Sequence, residues 1–186
     1  AANIIQQHLL KSVLDIGCGF GEKLEKFIYP LCKDITGIDT KKFIGYCKKR
    51  YGWGKWIVCD IEKGISPPLN KKFDIIISSD VIEHLYNPDK LLDTIKRYSN
   101  KNTRVVLSTP ERDRVRGKND YGPPSNRFHI REWNKIEFQN YLNSRKFKII
   151  SHILVDDFKK SFIRRVITLL KFKKTKHAKL FFVNQY

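Results

Sequence analysis

Three glycines at alternate positions, Gly17, Gly19 and Gly21, directly follow the strand-like run VLDI at 13–16. Glycine has no side chain to hold a ligand away from the backbone, and it tolerates positive φ angles. Asp15 adds a carboxylate within that run. These residue types and spacings favour a loop that binds a nucleoside-containing ligand. A strand-to-helix turn that needs glycine only for its geometry is the alternative interpretation.

Two more acidic residues end the next two apolar runs along the chain. Asp39 ends TGID, and Asp60 ends WIVCD. In a Rossmann-type fold, an acid at the end of the second strand binds the ribose hydroxyls. The glycines follow a G-x-G-x-G spacing, whereas G-x-G-x-x-G is the pattern that places a pyrophosphate on a helix N-terminus. The sequence therefore predicts a pocket for a nucleoside without phosphates.

The segment SSDVIEHL at 78–85 follows another apolar run and carries two acids and a histidine. If the chain turns helical after Ser79, then Asp80, Glu83 and His84 lie on one face at i, i+3 and i+4. Ligands of open α/β sheets bind beyond the carboxyl ends of the strands, so this face would point at the ligand. Three roles stay open. These are a Mg or Mn site formed by Asp80, Glu83 and His84, general-base catalysis by His84, and a helix-capping pair of Glu83 with His84.

A second histidine, His129, lies at the end of the longest stretch without a regular pattern, 109–131. A stretch of that length inside a compact domain is usually functional. Its setting YGPPSNRFHIREW supplies polar and aromatic neighbours such as Tyr121, Asn126 and Arg131. Polar loops flanked by aromatic residues suit a sugar or a similar polyol. His129 is therefore the second candidate for acid–base chemistry.

The elements that must position these residues alternate between strand-like and helix-like patterns. This alternation predicts an α/β fold with a Rossmann-like, seven-stranded, mostly parallel sheet, helices on both faces and an antiparallel last strand. Strands are predicted at 12–16, 34–39, 55–60, 73–78, 104–108, 146–155 and 179–184. Helices are predicted at 22–29, 41–50, 88–98, 132–143 and 159–170. At 186 residues, the chain is expected to form a single domain spanning 1–186.

The cysteines and the apolar runs bear on where the protein works. The four cysteines contain no CxxC pair, which argues against a zinc site or a disulfide framework. No apolar run approaches the roughly 18 residues needed to span a bilayer. We therefore expect reduced thiols and a cytoplasmic protein.

These motifs, in this order, resemble the class I S-adenosylmethionine-dependent methyltransferases, and within them the small-molecule O-methyltransferases related to ubiquinone-biosynthesis and sugar-modifying enzymes. The resemblance covers VLDIGCGFGEKL, TGIDT, WIVCDIEKG, FDIIISSDVIEHLYNP and VVLSTP. It implies that the methionine moiety lies in the glycine loop, the ribose on the second strand and the adenine after the third. The cofactor-binding residues that it implies are Asp15, Gly17, Gly19, Gly21, Asp39, Asp60, Ile61 and Ser79.

The resemblance also implies a reaction, methyl transfer from S-adenosylmethionine to a hydroxyl group. The favoured acceptor is a sugar or glycan, because the loop before His129 resembles that of glycan-modifying methyltransferases. A quinone-like phenol or another small metabolite is the alternative acceptor. The candidate catalytic residues are His84, His129 and Asp80. Quinone-pathway relatives carry a similar acid-x-x-Glu-His set that holds a divalent ion, which keeps Mg or Mn at Asp80, Glu83 and His84 as an expectation.

The formal charge of +18 indicates an affinity for polyanions. An RNA-binding or RNA-modifying Rossmann-like protein is therefore a second alternative. The basic residues are spread along the whole chain without an RNA-binding module or an NPPY-like motif, which makes nucleic acid the less favoured partner. The segment 159–174 reads as a basic amphipathic helical insert before the last strand. It would either contact an anionic membrane surface peripherally or pack on the sheet with a solvated basic face.

Overall fold

The computed structural model describes residues 1–156 and 177–185. Its strands are β1 (Ser12–Ile16), β2 (Asp34–Asp39), β3 (Lys55–Val58), β4 (Ile75–Ser79), β5 (Arg104–Pro110), β6 (Phe147–Asp156) and β7 (His177–Gln185). The α-helices are α1 (Ala2–His8), α2 (Lys41–Arg50), α3 (Asp89–Tyr98), α4 (Arg112–Val115) and α5 (Lys135–Ser144). A π-helix at Leu24–Ile28 and a 3₁₀ turn at Ile82–His84 complete the elements that the structure describes.

The strands form one sheet in the order β3-β2-β1-β4-β5-β7-β6. The first five of these pair in parallel. β7 runs antiparallel between β5 and β6, and β6 forms no ladder with the parallel strands. The predicted α/β, Rossmann-like fold is confirmed, and the parallel part of its sheet comprises five strands. All of these five end at the same edge, which is where the predicted ligand residues follow them.

The central strands are buried on both faces, as a parallel sheet covered by helices requires. Every residue of β1 is buried. Val13 and Ile75 contribute to the core shared with α1, the π-helix and α2. Leu14 and Ile76 contribute to the opposite core, shared with α3 and α5. The sheet therefore forms a rigid platform beneath the loops at its carboxyl edge.

Several predicted boundaries shift for local reasons. The helix predicted at 132–143 begins at Lys135, because Asn134 and Glu137 form a reciprocal capping box. The helix predicted from Pro88 begins at Asp89, although Asn87 accepts a hydrogen bond from the Asp89 N–H as expected of a capping side chain. The helix predicted at 22–29 is largely a π-helix, and the stretch 109–131 contains the short helix α4.

Other predictions concern the end of the chain and its cysteines. The helix predicted at 159–170, and the basic insert 159–174 with its membrane contact, lie outside the described residues. None of the helices in the described part combines the length and the apolar character needed to cross a membrane. All four cysteines are free thiols.

Candidate functional site

The glycine loop is tied to the second strand and packed beneath the 78–85 segment. The backbone N–H groups of Gly17 and Cys18 both donate to the Ile38 carbonyl, at 2.9 and 3.2 Å. Gly17 has a φ of 81°, and a Cβ there would lie 2.2 Å from Val81 Cγ2. Gly19 has a φ of 56°, but a Cβ there would meet no other described atom within 4 Å. Gly17 is thus required by packing, whereas Gly19 faces the space beside the loop in which a ligand can lie.

Asp39 contacts this loop directly. One carboxylate oxygen, Oδ2, accepts a hydrogen bond from the Gly19 N–H at 2.8 Å, and Oδ1 accepts one from the Thr40 N–H at 2.6 Å. The acid expected to bind ribose therefore also fixes the conformation of the glycine loop. This second role depends on long-range geometry that spacing in the sequence does not reveal.

Asp15 lies beneath the same loop and is buried. Burial raises the pKa of its carboxyl to about 7; the nearby Lys23 opposes this rise, and the negative charge of Asp39 adds to it. Once it is ionised, a buried carboxylate is strongly stabilised by a nearby cation. The ammonium group of an amino-acid ligand is a cation of the required kind.

The remaining predicted cofactor residues lie at the same edge of the sheet. Asp60 and Ile61 follow β3, which pairs in parallel with β2 so that Val58 lies opposite Asp39. Asp60 is exposed, and its Oδ1 accepts a hydrogen bond from the Glu62 N–H. Ser79 ends β4 and is partly buried. The predicted cofactor residues therefore occupy one continuous edge, in the order β3, β2, β1 and β4.

The 78–85 segment does not form the predicted helical face. Asp80 adopts a left-handed conformation with a φ of 56°, and only Ile82–His84 form a single 3₁₀ turn. The Asp80 carboxylate instead accepts a hydrogen bond from the Ser108 hydroxyl at 3.1 Å. The backbone reversal at Asp80 thus directs its carboxylate to β5, and the three residues of the predicted ligand set, Asp80, Glu83 and His84, do not share a helical face.

Glu83 is the buried member of this segment, with no exposed surface. In the described part of the chain, no hydrogen bond of normal geometry reaches either of its carboxylate oxygens. Burial raises the pKa of Glu83 to about 8. Hydrogen bonding from its own backbone N–H and from the Thr109 hydroxyl opposes this rise, and the negative charges of Asp80 and Glu132 add to it. A fully buried carboxylate whose hydrogen bonds are this poor in geometry is rare in folded proteins and indicates a functional group.

The two candidate histidines lie side by side. Their rings are 4.8 Å apart between centroids and meet edge to face. His84 Nδ1 lies 2.8 Å from the Phe128 carbonyl oxygen, so Nδ1–H donates and Nε2 carries the lone pair. His129 Nδ1 lies 2.7 Å from Glu132 Oε1, and its Nε2 lies 2.8 Å from the Asn126 amide nitrogen. The segment 109–131 therefore folds back so that the His129 ring contacts the His84 ring.

Glu83, His84 and His129 together form a cluster of metal-ligand type. One ligand atom from each lies within 4.8 Å of the others, and this set does not include Asp80. The backbone supports the arrangement, because the Ile130 and Arg131 N–H groups both donate to the Glu83 carbonyl. The cluster therefore contains His129, whereas the set predicted from the sequence contains Asp80.

Sequence reasoning missed Glu132, which contacts His129 from behind. The available signal is the spacing in HIRE, which places an acid three residues after the histidine. That spacing alone does not show that the Glu132 side chain is almost fully buried, with only 1% of its surface exposed. The burial depends on elements that are distant in sequence.

Exposed aromatic side chains lie on the same two segments of the chain as the clustered histidines. Tyr86 and Tyr121 are each 76% exposed, and Phe128 is 64% exposed. Arg131 donates a hydrogen bond to the Tyr86 carbonyl at 2.8 Å, and the Arg127 guanidinium lies 4.8 Å from the Phe128 ring centre. We refer to Tyr86, Tyr121 and Phe128 as the aromatic rim.

Solved structures of known proteins share this fold. An S-adenosylmethionine-dependent methyltransferase from Clostridium acetobutylicum is 15% identical with a TM-score of 0.70, covering 98% of this chain and 88% of its own. The N-methyltransferase NodS from Bradyrhizobium japonicum, in complex with S-adenosylhomocysteine, is 18% identical with a TM-score of 0.64, covering 95% and 78%. The plantazolicin methyltransferase BpumL, also in complex with S-adenosylhomocysteine, is 17% identical with a TM-score of 0.67, covering 100% and 80%. At sequence identities of 15–18%, this structural similarity establishes the fold alone.

A Rossmann-like sheet with a glycine loop after β1 and an acidic residue in or just after each of β1, β2 and β3 is typical of α/β proteins that bind nucleosides. The family model described as a methyltransferase domain matches residues 5–152, and the chain belongs to this family. No curated protein sequence matches it significantly.

Proposed function

We propose that this protein transfers a methyl group from S-adenosylmethionine to a hydroxyl of a sugar or glycan. The observation that carries this proposal is the pair of adjacent histidines at the carboxyl edge of β4, with the Nδ1 atom of each ring bonded to an oxygen. In the reaction, the acceptor oxygen forms a bond to the methyl carbon as the carbon–sulfur bond breaks. The products are S-adenosylhomocysteine, the methyl ether and one proton.

The cofactor assignment is supported by the glycine loop and its acids. Gly19 leaves the backbone beside Asp39 open to a ligand, and we assign the methionine ammonium group to the buried Asp15 carboxyl. Related folds were solved with S-adenosylhomocysteine bound, as the NodS and BpumL structures state. Membership of the methyltransferase family agrees with this assignment.

Replacing Asp39 with alanine should weaken S-adenosylhomocysteine binding at least about tenfold, or 1.4 kcal/mol. The carboxylate would no longer accept hydrogen bonds from the ribose, and the Gly19 N–H would lose its partner. Isothermal titration calorimetry measures the change. Asp34→Ala is the matched control, because Asp34 begins the same strand at its opposite end and pairs with Lys71. Unchanged affinity in Asp39→Ala would place the ribose elsewhere.

We propose His84 as the base that removes the acceptor proton. Among the described residues, its Nε2 has no hydrogen-bond partner, whereas Nε2 of His129 is occupied by the Asn126 amide. An alkyl hydroxyl keeps its proton near neutral pH, so methyl transfer to it gains from a base within hydrogen-bond reach. His129 would then orient the acceptor, and proximity to the sulfonium methyl would supply much of the rate enhancement.

The acceptor class is supported by the aromatic rim. Aromatic faces pack against the apolar faces of sugar rings, while the adjacent arginines and carbonyls offer polar contacts. A panel of polyols, glycans, phenols and short RNA oligonucleotides with methyl-labelled cofactor tests this assignment. We expect label in the carbohydrate acceptors. Label confined to phenols would instead support the quinone-like alternative.

The charge of +18 and the arginines beside the aromatic rim favour nucleic acid as a second candidate acceptor. Exposed aromatic rings also stack on unpaired bases. RNA binding that falls steeply with salt, together with label in RNA and none in glycans, would support this candidate over the first.

As an alternative to general-base catalysis by His84, we propose that Glu83, His84 and His129 hold a divalent cation. His84 Nε2 would then bind the cation and would not accept the acceptor proton. The buried Glu83 carboxylate, which no hydrogen bond of normal geometry reaches, and the Nδ1 contacts of both histidines fit such a site, although Asn126 must then release His129 Nε2. Two imidazoles with one carboxylate suit Mn²⁺ better than Mg²⁺. When bound, the cation would lower the pKa of an acceptor hydroxyl.

This metal proposal predicts that a chelator lowers turnover at least about tenfold and that Mn²⁺ restores it. Glu83→Gln should abolish Mn²⁺ binding, measured by electron paramagnetic resonance, without weakening S-adenosylhomocysteine binding. The control is Glu25→Gln, because Glu25 forms an exposed ion pair with Arg50. Full turnover in excess chelator would rule out a required cation and leave histidine chemistry alone.

A further inference from the structure

Behind His129 lies a buried ion pair that the reaction described above does not use. The Glu132 side chain is 1% exposed, and its two carboxylate oxygens face different partners. Oε1 lies 2.7 Å from His129 Nδ1, and Oε2 lies 3.3 Å from Arg116 Nε. Arg116 is itself almost fully buried, with 6% of its side chain exposed. The carboxylate thus connects a candidate active-site histidine to a buried guanidinium.

Arg116 also holds the turn at 120–123. Its Nη1 donates hydrogen bonds to the carbonyls of Gly122, at 2.7 Å, and Pro123, and it lies 3.5 Å from the Asp120 carboxylate. This turn includes Tyr121 of the aromatic rim. One guanidinium therefore contacts both the segment that carries Tyr121 and the carboxylate behind His129.

The two hydrogen bonds of the His129 ring are both consistent with the same tautomer. The Asn126 amide donates to Nε2, which requires a lone pair there, and Glu132 accepts from Nδ1–H. A carboxylate behind a histidine fixes both the orientation of the ring and the position of its proton. Since burying a carboxylate without a cation is costly, Arg116 is what allows Glu132 to occupy this place as an acceptor.

We infer that Glu132 and Arg116 are positioning residues. Glu132 fixes the Nδ1–H tautomer and the orientation of His129, and Arg116 couples that arrangement to the acceptor-facing turn at 120–123. The inference rests on the proposed function only in assigning this edge to the acceptor. The bonds to His129 stand independently of the acceptor's identity.

Nitrogen-15 NMR of the histidine-labelled protein at one fixed pH tests the tautomer directly. We expect the His129 resonances of the parent protein to show a protonated Nδ1. Glu132→Gln and Arg116→Lys should each move these resonances toward mixed tautomers. Glu132→Asp should restore part of the parent signal, because it keeps the charge on a side chain one methylene shorter.

Arg112→Lys is the matched control. Arg112 also belongs to the α4 region and is 9% exposed, and it also pairs with a glutamate, through two hydrogen bonds of 2.8 Å to Glu137. That glutamate belongs to the capping box of α5 and not to the histidine cluster. Arg112→Lys should therefore leave the His129 resonances at their parent values.

Kinetics provide the second readout. Glu132→Gln should lower kcat about tenfold with unchanged S-adenosylhomocysteine affinity, and Arg116→Lys should in addition raise the acceptor KM. If Glu132→Gln fails to fold, Arg116→Lys carries the same test. Parent-like His129 resonances in folded Glu132→Gln or Arg116→Lys, or an equal change in Arg112→Lys, would overturn the inference. Expected resonance changes in a protein that methylates no hydroxyl would instead overturn the proposed function alone.

Discussion

Replacing His84 with alanine is expected to lower kcat by about 100-fold or more while the affinity for S-adenosylhomocysteine stays at its parent value. The imidazole lies at the carboxyl edge of β4, away from the glycine loop contacts of Asp39. Its loss removes the proposed proton acceptor and one proposed metal ligand but leaves the cofactor residues in place. Steady-state kinetics with the labelled cofactor, combined with calorimetry, measures both quantities.

His8→Ala is the control for this experiment, because His8 is exposed at the end of α1 and belongs to no proposed site. A double variant, His84→Asn with His129→Asn, extends the test. Near-parent turnover in that variant would contradict any role of the histidines in proton transfer. The reaction would then depend on positioning alone, or on a carboxylate such as Asp80 or Glu83.

Asp15→Asn should stabilise the ligand-free protein at pH 8 by up to about 4 kcal/mol relative to the parent. Burial raises the pKa of Asp15 from 3.8 to about 7 in the folded protein. Between these values the unfolded chain releases the proton while the folded protein retains it. Stability contributed at this residue is therefore complete below about pH 4, falls as the pH rises to about 7, and stays low above that.

Urea unfolding of parent and variant at pH 4, 6 and 8 measures this difference. We expect the two free energies of unfolding to agree at pH 4 and to diverge toward pH 8. Asp60→Asn is the control, because Asp60 is exposed and should produce no such divergence. A constant difference across this range would show that Asp15 is not held in its protonated form.

The same carboxyl group links stability to cofactor binding. An ionised Asp15 attracts the ammonium group of the ligand, so the parent should bind S-adenosylhomocysteine more tightly at pH 8 than at pH 6. This gain in affinity should be absent in Asp15→Asn. Buried charged groups in binding pockets commonly destabilise the ligand-free protein, and the opposite charge of the bound ligand then offsets that cost.

The core of the fold could be predicted because its local signals agree. The bounds of β1, β2 and α2 match the prediction. The two strand runs end at the glycine loop and at Asp39, and α2 begins two residues after Asp39, so few alternatives are left. The edge strand β3 is shorter than predicted and ends at Val58, where the chain leaves the ladder. Edge strands have fewer neighbours to define where they end.

The candidate site was less predictable, because its geometry depends on contacts between distant segments. DVIEH is compatible with a helix, yet Ser108 and the close approach of Val81 to Gly17 hold Asp80 in a left-handed conformation. His84 and His129 were both identified from residue type. Their contact, and the buried Glu132 behind it, require the long loop to fold back, which no local pattern encodes.

The most direct test of the account is the chemical identity of the methylated atom. S-adenosylmethionine carrying a ¹³C-labelled methyl group is incubated with the carbohydrate acceptor found in the panel, and the product is analysed by ¹³C NMR. The account predicts a methyl carbon bonded to oxygen, present with the parent protein and nearly absent with His84→Ala. A labelled methyl on nitrogen, or equal O-methyl product from His84→Ala, would contradict it.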